Sequence, residues 1–212
     1  MYIKTFVFNP IQVNTYVVID EKTNDCVVID AGCVDEAEKN SLGEYIRNHQ
    51  LHLKHVLNTH LHMDHCFGNR YLYKEFGVGP EASADDEPLL ETLHAQASMF
   101  GIEYTDAIQP IAKYLNDEDL ITFGESALKV IKVPGHSRGG LAFYSESEHI
   151  LFSGDTLFHN SIGRTDLPGG SYKDLIASLI QKLMILPGET DVYPGHGETT
   201  TIGDEREDNP YL

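Results

Sequence analysis

The chain has 212 residues, 41% hydrophobic and 23% charged, the balance of a soluble globular protein with one sizeable domain or two small ones. It carries 15 Lys and Arg against 33 Asp and Glu, a formal net charge of -18, which disfavours nucleic acid because phosphate binding needs basic patches. Three cysteines without a Cys-x-x-Cys pair, no leader-like N-terminus and no apolar run of membrane-span length point to a reducing, cytoplasmic setting and to no membrane.

Tyr2 to Phe8 alternates as a first strand. Tyr16 to Asp20 and Cys26 to Ile29 are short β-branched runs around the polar turn Glu21 to Asp25, a hairpin signal. Val27, Val28 and Ile29 are apolar without a break, so this strand is predicted to be covered on both faces. Ala37, Leu42, Tyr45 and Ile46 fall at helical spacing. A strand over Leu53 to Leu57 then delivers Asn58, Thr59 and His60 at its carboxyl end, a common place for ligands in α/β folds. Phe67 to Phe76 reads as a helix.

Residues 80–119 are acidic and mostly helical in character, with Asp85 to Pro88 as a helix start and no strand alternation. This stretch reads as an excursion over the site rather than a separate domain. Strands return at Ala127 to Val133, Leu141 to Tyr144 and His149 to Phe152. A helix over Tyr172 to Met184 and a last strand at Asp191 to Tyr193 follow. The order predicts two similar α/β halves packed as one domain over residues 1–212.

The chemistry is concentrated in Thr59-His60-Leu61-His62-Met63-Asp64-His65, which crowds four metal-ligand side chains, His60, His62, Asp64 and His65, into one stretch of backbone. Imidazole with carboxylate suits zinc, iron or manganese. Core packing does not produce such a run, because these groups are costly to bury without partners. Three strand-to-loop junctions each add one more candidate beside a glycine: Gly135-His136, Gly154-Asp155 and Gly195-His196. The resulting seven candidates suffice for two metal ions sharing one carboxylate.

The run Thr-His-x-His-x-Asp-His, followed by Gly-His, Gly-Asp-Thr-Leu-Phe and Gly-His-Gly, resembles the metallo-β-lactamase superfamily, and within it the glyoxalase II (hydroxyacylglutathione hydrolase) group in single-domain form. The resemblance implies an α/β fold, an αβ/βα four-layer sandwich with the site at one edge of two packed mixed sheets. It implies that His60, His62 and His136 hold one metal and Asp64, His65 and His196 the other. Asp155 would bridge both, together with a hydroxide. Asp64 and Asp155 are thus the candidate catalytic carboxylates. The cofactor would be two divalent metal ions, zinc first, with iron or manganese as alternatives.

The implied reaction is hydrolysis of a small-molecule thioester, such as S-lactoylglutathione, to a hydroxy acid and a thiol. The metal pair would ionise water and polarise the carbonyl. The resemblance also makes Asp30 a partner that orients a ligand histidine or the metal loop. Arg164 would receive an anionic part of the substrate; a surface ion pair with Asp166 is the alternative. Cys66 reads as a small buried hydrophobe facing away from the metal. His52, His55, His94, His149 and His159 have no matching context.

The stretch after His196 is too short for the helical domain that supplies glutathione contacts in full-length glyoxalase II, so that domain is expected to be absent. Gly163-Arg164-Thr165-Asp166 is more similar to the single-iron persulfide dioxygenases, which stand as the alternative; a β-lactamase and a phosphodiesterase of the same fold are lesser ones.

Overall fold

Apolar runs joined by polar turns fold back on themselves at the start of the chain. In the computed structural model, which describes residues 1–212, β1 (Tyr2–Phe8) pairs antiparallel with β2 (Val13–Ile19), and β2 with β3 (Asp25–Ile29). Helix α1 (Glu36–Asn48), whose first turn is capped by the Asp35 carboxylate on the Glu38 N–H, carries the chain back. A crossover of this kind permits parallel pairing, and β4 (His52–Leu57) runs parallel to β3. Then come α2 (Met63–Cys66), α3 (Asn69–Phe76), β5 (Pro80–Ala82), α4 (Glu87–Glu91), α5 (Leu93–Met99) and β6 (Lys113–Tyr114). β5 and β6 extend the first sheet in parallel, giving the order β1-β2-β3-β4-β5-β6.

The second sheet repeats the plan. β7 (Leu120–Phe123), β8 (Ser126–Lys132), β9 (Leu141–Ser145) and β10 (Ile150–Gly154) form an antiparallel meander. A small hairpin, β11 (Leu157–Phe158) and β12 (Ser161–Ile162), and helix α6 (Tyr172–Ser178) follow. β13 (Asp191–Pro194) then pairs parallel with β10, and β14 (Thr200–Thr201) closes the edge ahead of α7 (Ile202–Asp208).

Side chains alternate across a strand, and here both faces of the inner strands are apolar. Tyr16, Val18, Val27, Ile29 and Leu57 of the first sheet meet Phe123, Leu128, Val130, Phe143 and Phe152 of the second. Full burial of each of these phenylalanines contributes roughly 1.5–3 kcal/mol. The opposite faces, Val17, Cys26, Val28 and Val56, pack on Leu42 and Ile46 of α1 and Leu72 of α3. On the far side Ile131, Val133 and Leu151 pack on Leu175, Leu179, Leu183 and Ile202. The result is the four-layer αβ/βα sandwich that the resemblance implied.

Several elements differ from the sequence reading. β2 begins at Val13 rather than Tyr16, because Asn14 and Thr15 are buried but satisfied: Asn14 Nδ2 donates to Pro194 O (3.0 Å) and Thr15 Oγ1 to Asp30 O (2.6 Å). The helix read over Phe67 to Phe76 is α3, from Asn69, with the separate turn α2 ahead of it. The helix read over Tyr172 to Met184 is α-helical only to Ser178 and continues as a π-helical turn, Leu179–Leu183. The excursion over 80–119 carries α4 and α5 as expected, but β5 and β6 correct the reading that it holds no strand. Its helices bury Leu90, Leu93 and Ala97 against Leu61, Met63, Cys66 and Phe67, behind the histidine-rich loop. No helix is long and apolar enough to cross a membrane.

Candidate metal centre

Every candidate ligand leaves the carboxyl end of a strand. β4 leads into the loop bearing His60, His62, Asp64 and His65. β8 leads to His136, β10 to Asp155 and β13 to His196. The parallel pairings of β3 with β4 and of β10 with β13 place these ends on one rim.

The first loop is held by side chains that answer its backbone. Asp30, in the left-handed region at φ +53°, accepts from Thr59 N (2.7 Å) and Thr59 Oγ1 (2.7 Å). Asn58 Nδ2 donates to His65 O (2.8 Å), and Asn9 Nδ2 to Asp64 O (3.2 Å). These bonds remove the loop's backbone freedom and fix where its four side chains point.

The structure brings all seven candidates together. His60, His62 and His136 form one group, Asp64, His65 and His196 a second, and Asp155 joins His60 and His65 in a third, with ligand atoms within 4.8 Å of one another in each. His62 Nδ1 and His136 Nε2 lie 2.9 Å apart. His196 Nε2 lies 3.2 Å from Asp64 Oδ2. Asp155 is central: its oxygens lie 3.5 Å from His65 Nε2 and 3.6 Å from both His136 Nε2 and His196 Nε2. His60 Nε2, His65 Nε2 and Asp155 Oδ1 are buried without a hydrogen-bond partner.

Hydrogen bonds on the far side of four rings orient them toward the cluster. A carbonyl or carboxylate only accepts, so the ring nitrogen facing it carries the proton. His65 Nδ1 faces Asp30 Oδ2 (2.9 Å), His136 Nδ1 faces Arg164 O (2.8 Å) and His196 Nδ1 faces Gln12 O (3.2 Å). Thr59 Oγ1 gives its proton to Asp30 and so accepts from His60 Nδ1 (3.1 Å). In His60 and His136 this leaves the Nε2 lone pair pointing inward, whereas the Nε2 atoms of His65 and His196 face Asp155 (3.5 Å) and Asp64 (3.2 Å), where a cation would take the place of a proton.

Electrostatics separate the groups further. Burial, then neighbouring histidines, hold His60 well below the usual imidazole range. The same causes, burial first and then His136, bring His62 down to about 4. Burial works against ionising Asp155 and Asp64, but the surrounding histidines outweigh it and both carboxyls lie below their ordinary range. Burial also opposes charge on His65 and His196, where the carboxylates win and the pKa rises. The pocket therefore holds two ionised carboxylates that call for positive charge in their midst.

Among the other sequence candidates, Asp30 sits where the resemblance placed it, behind His60 and His65. The Arg164 guanidinium is exposed and forms a bidentate pair with Asp166 (2.7 Å on both nitrogens), the ion-pair alternative. What reaches the cluster from Arg164 is its carbonyl. Cys66 is buried with its thiol directed at His62 O (3.2 Å), and burial pushes its pKa far up. His55 pairs with Glu81, and His159 is exposed near Glu198; neither joins the cluster. Sequence reasoning missed Asn9, Asn58 and Asp86, buried polar side chains whose roles depend on loops brought together only by folding.

The sequence pattern of the Metallo-beta-lactamase superfamily matches residues 8–196, spanning every strand and loop that builds this cluster. The chain belongs to the metallo-beta-lactamase superfamily. Among superfamily members, hydroxyacylglutathione hydrolase GloC of Haemophilus influenzae is 35% identical over 202 residues, covering 95% of this chain and 93% of the relative. The crystal structure of the BLEG-1 B3 metallo-beta-lactamase superposes with a TM-score of 0.90 at 34% identity, covering 100% of this chain and 99% of that one. That of TTHA1623 in a di-iron-bound form gives 0.86 at 35%, covering 100% of both. Members of this superfamily bind divalent metals, and the paired His/Asp groups fit that chemistry.

Proposed function

We propose that this metallo-hydrolase acts on 2-hydroxyacyl thioesters in the manner of glyoxalase II, with S-lactoylglutathione as the representative substrate. The observation that carries the reading is the convergence of five imidazoles and two carboxylates, with buried, unpartnered atoms at His60, His65 and Asp155. Buried polar atoms without partners are costly, and divalent cations would satisfy all three. His60, His62 and His136 would hold one ion, Asp64, His65 and His196 the other, and Asp155 would serve both. Bound there, such ions supply Lewis acidity and water that ionises near neutral pH. Zinc is the first assignment, with iron or manganese also suited to the donors.

The chain's own part is to hold the His60 and His62 imidazoles neutral and two carboxylates ionised. A thioester suits the site because a thiol of pKa about 8.5 departs as thiolate without a strong general acid. The 35% identity to GloC over most of both chains supports the same reading. The net charge of -18 favours a small molecule over nucleic acid as partner. The reading is completed by a single domain over 1–212 and a cytoplasmic setting.

The test combines elemental analysis of the purified protein with assays of S-lactoylglutathione hydrolysis, thiol-dependent oxygen uptake and turnover of a chromogenic cephalosporin. Two metals per chain with thioester turnover is the expected outcome. One iron per chain with oxygen uptake would replace it with a persulfide dioxygenase-like oxidoreductase. Cephalosporin turnover without thioester turnover would favour the β-lactamase reading that the similarity to BLEG-1 brings in.

A further inference from the structure

Apart from the ligand candidates and Asp30, one more buried carboxylate touches the site, and it comes from the acidic excursion. Asp86 ends the 3-10 turn Ala84–Asp86 and is 1% exposed. Its Oδ2 accepts from Ser137 Oγ (2.7 Å) and from Leu61 N (3.3 Å), and its Oδ1 from Gly139 N (2.6 Å). Leu61 stands between His60 and His62, and Ser137 directly follows His136. One side chain therefore ties the loop after β4 to the loop after β8. These are the two loops that supply the three-histidine group.

The approach is close. A Cβ added to Gly139 would lie 2.8 Å from Asp86 Cγ, so a side chain there would push the loop after β8 away from Asp86. The carboxylate has no cationic partner; its charge is met by one hydroxyl and two backbone N–H groups. Burial raises its pKa, and these three donors pull the other way. An unsatisfied carboxylate at this depth would be costly, so the donors must stay in place. Metal–ligand bonds tolerate only about 0.2 Å of error, so the loop spacing bears directly on affinity.

We propose that Asp86 is a positioning residue that sets the His60–His62 loop against His136 and thereby the affinity of the three-histidine metal position. This rests on the two-metal reading above. It makes the excursion part of the scaffold of the metal centre.

The experiment measures zinc affinity alone, by competition with a chromophoric chelator and without substrate. Asp86→Asn and Ser137→Ala are placed in the full chain and in a His196→Ala background, where the three-histidine set is the complete one. Asp86→Asn keeps the size but offers one acceptor oxygen in place of two. The expected result is a loss of about 10–100-fold in affinity at the three-histidine position in both backgrounds, with the other position unchanged. Ser137→Ala removes one hydrogen bond and is expected to weaken the same position about 3–10-fold, which decides the question if Asp86→Asn does not fold. Asp20→Asn alters a buried carboxylate whose partners, Lys22, Thr23, Glu125 and Ser126, lie outside the site, and is expected to leave both affinities at the wild-type value. Wild-type affinity in Asp86→Asn, or equal weakening of both positions, would overturn the proposal. A wild-type chain that binds fewer than two zinc ions would instead overturn the two-metal reading. Absent thioester turnover with two zinc ions bound would overturn the substrate reading and leave the role of Asp86 standing.

Discussion

The two halves of the molecule reach the same rim by different means. In the first, one loop after β4 supplies His60, His62, Asp64 and His65 within six residues, held by the side chains of Asp30, Asn58, Asn9 and Asp86. In the second, β8, β10 and β13 each lead to a glycine, Gly135, Gly154 and Gly195, and give one candidate apiece directly after it. Their two rings are braced by backbone: Arg164 O behind His136 and Gln12 O behind His196. Close approach does the rest. A Cβ on Gly154 would fall 2.4 Å from Thr59 Oγ1, and one on Gly195 2.1 Å from Asp155 Oδ1. The first half is thus a dense ligand cluster that depends on side-chain partners. The second depends on where the backbone passes.

Asp155 is the point at which the halves meet, so its loss should break the comparison most severely. Asp155→Ala is expected to abolish two-metal loading and to lower thioester turnover well beyond the ~100-fold typical of outer partners. Full activity with two metals bound in that variant would sink the two-metal reading. Asp30→Asn comes next. It removes an acceptor from His65 Nδ1 and Thr59, so metal affinity is expected to fall about 10–100-fold while the fold is retained, read by chelator competition alongside circular dichroism.

A third change tests the halves where they meet away from the metals. Asp20, at the end of β2, accepts from Ser126 Oγ (2.7 Å) and Glu125 N (3.0 Å) of the second half and from Thr23 of its own turn. Asp20→Ala leaves these donors unanswered and is expected to cost about 2–4 kcal/mol in denaturant unfolding, with metal stoichiometry unchanged. The hydrogen bond from Ser126, followed by that from Thr23, lowers the Asp20 pKa to about 2 from an ordinary value of 3.8. A folded-state pKa below the unfolded one stabilises above the unfolded value and is lost as pH falls through the folded one. Wild-type stability should therefore decline between pH 4 and pH 2 more steeply than that of Asp20→Asn. The smallest effect is expected from Arg164→Ala. Its side chain is already occupied by Asp166 at the surface, so stability should move by less than ~0.5 kcal/mol and KM by less than ~5-fold. A larger rise in KM for an anionic thioester alone would assign the guanidinium to substrate.

The same contrast governs what the sequence discloses. The His60 to His65 run is legible because a dense cluster of ligand types has no packing explanation, and it prompts the search for His136, Asp155 and His196. The long apolar strands β1, β3, β8 and β10 are legible from their runs. Two-residue strands such as β6, β11, β12 and β14 span too few positions to show a period. The start of β2 is hidden by Asn14 and Thr15, polar residues whose partners lie far along the chain. Asp86 is hidden most completely. In sequence it belongs to an acidic helix start, and only folding reveals the donors around it.

The isolated bridge from Val13 to His196 carries one further consequence. With Asn14 N donating to Gly195 O (2.7 Å) and Tyr16 OH to Pro194 O (2.6 Å), β2 finds partners about 180 residues later. At a synthesis rate of roughly 5–20 residues per second, the opening hairpin waits on the order of 10–40 s for this contact to emerge. The group of Asp64, His65 and His196 cannot be assembled on a nascent chain shorter than that. Any cation that this group holds can therefore be bound only once both ends of this long loop are available to close it.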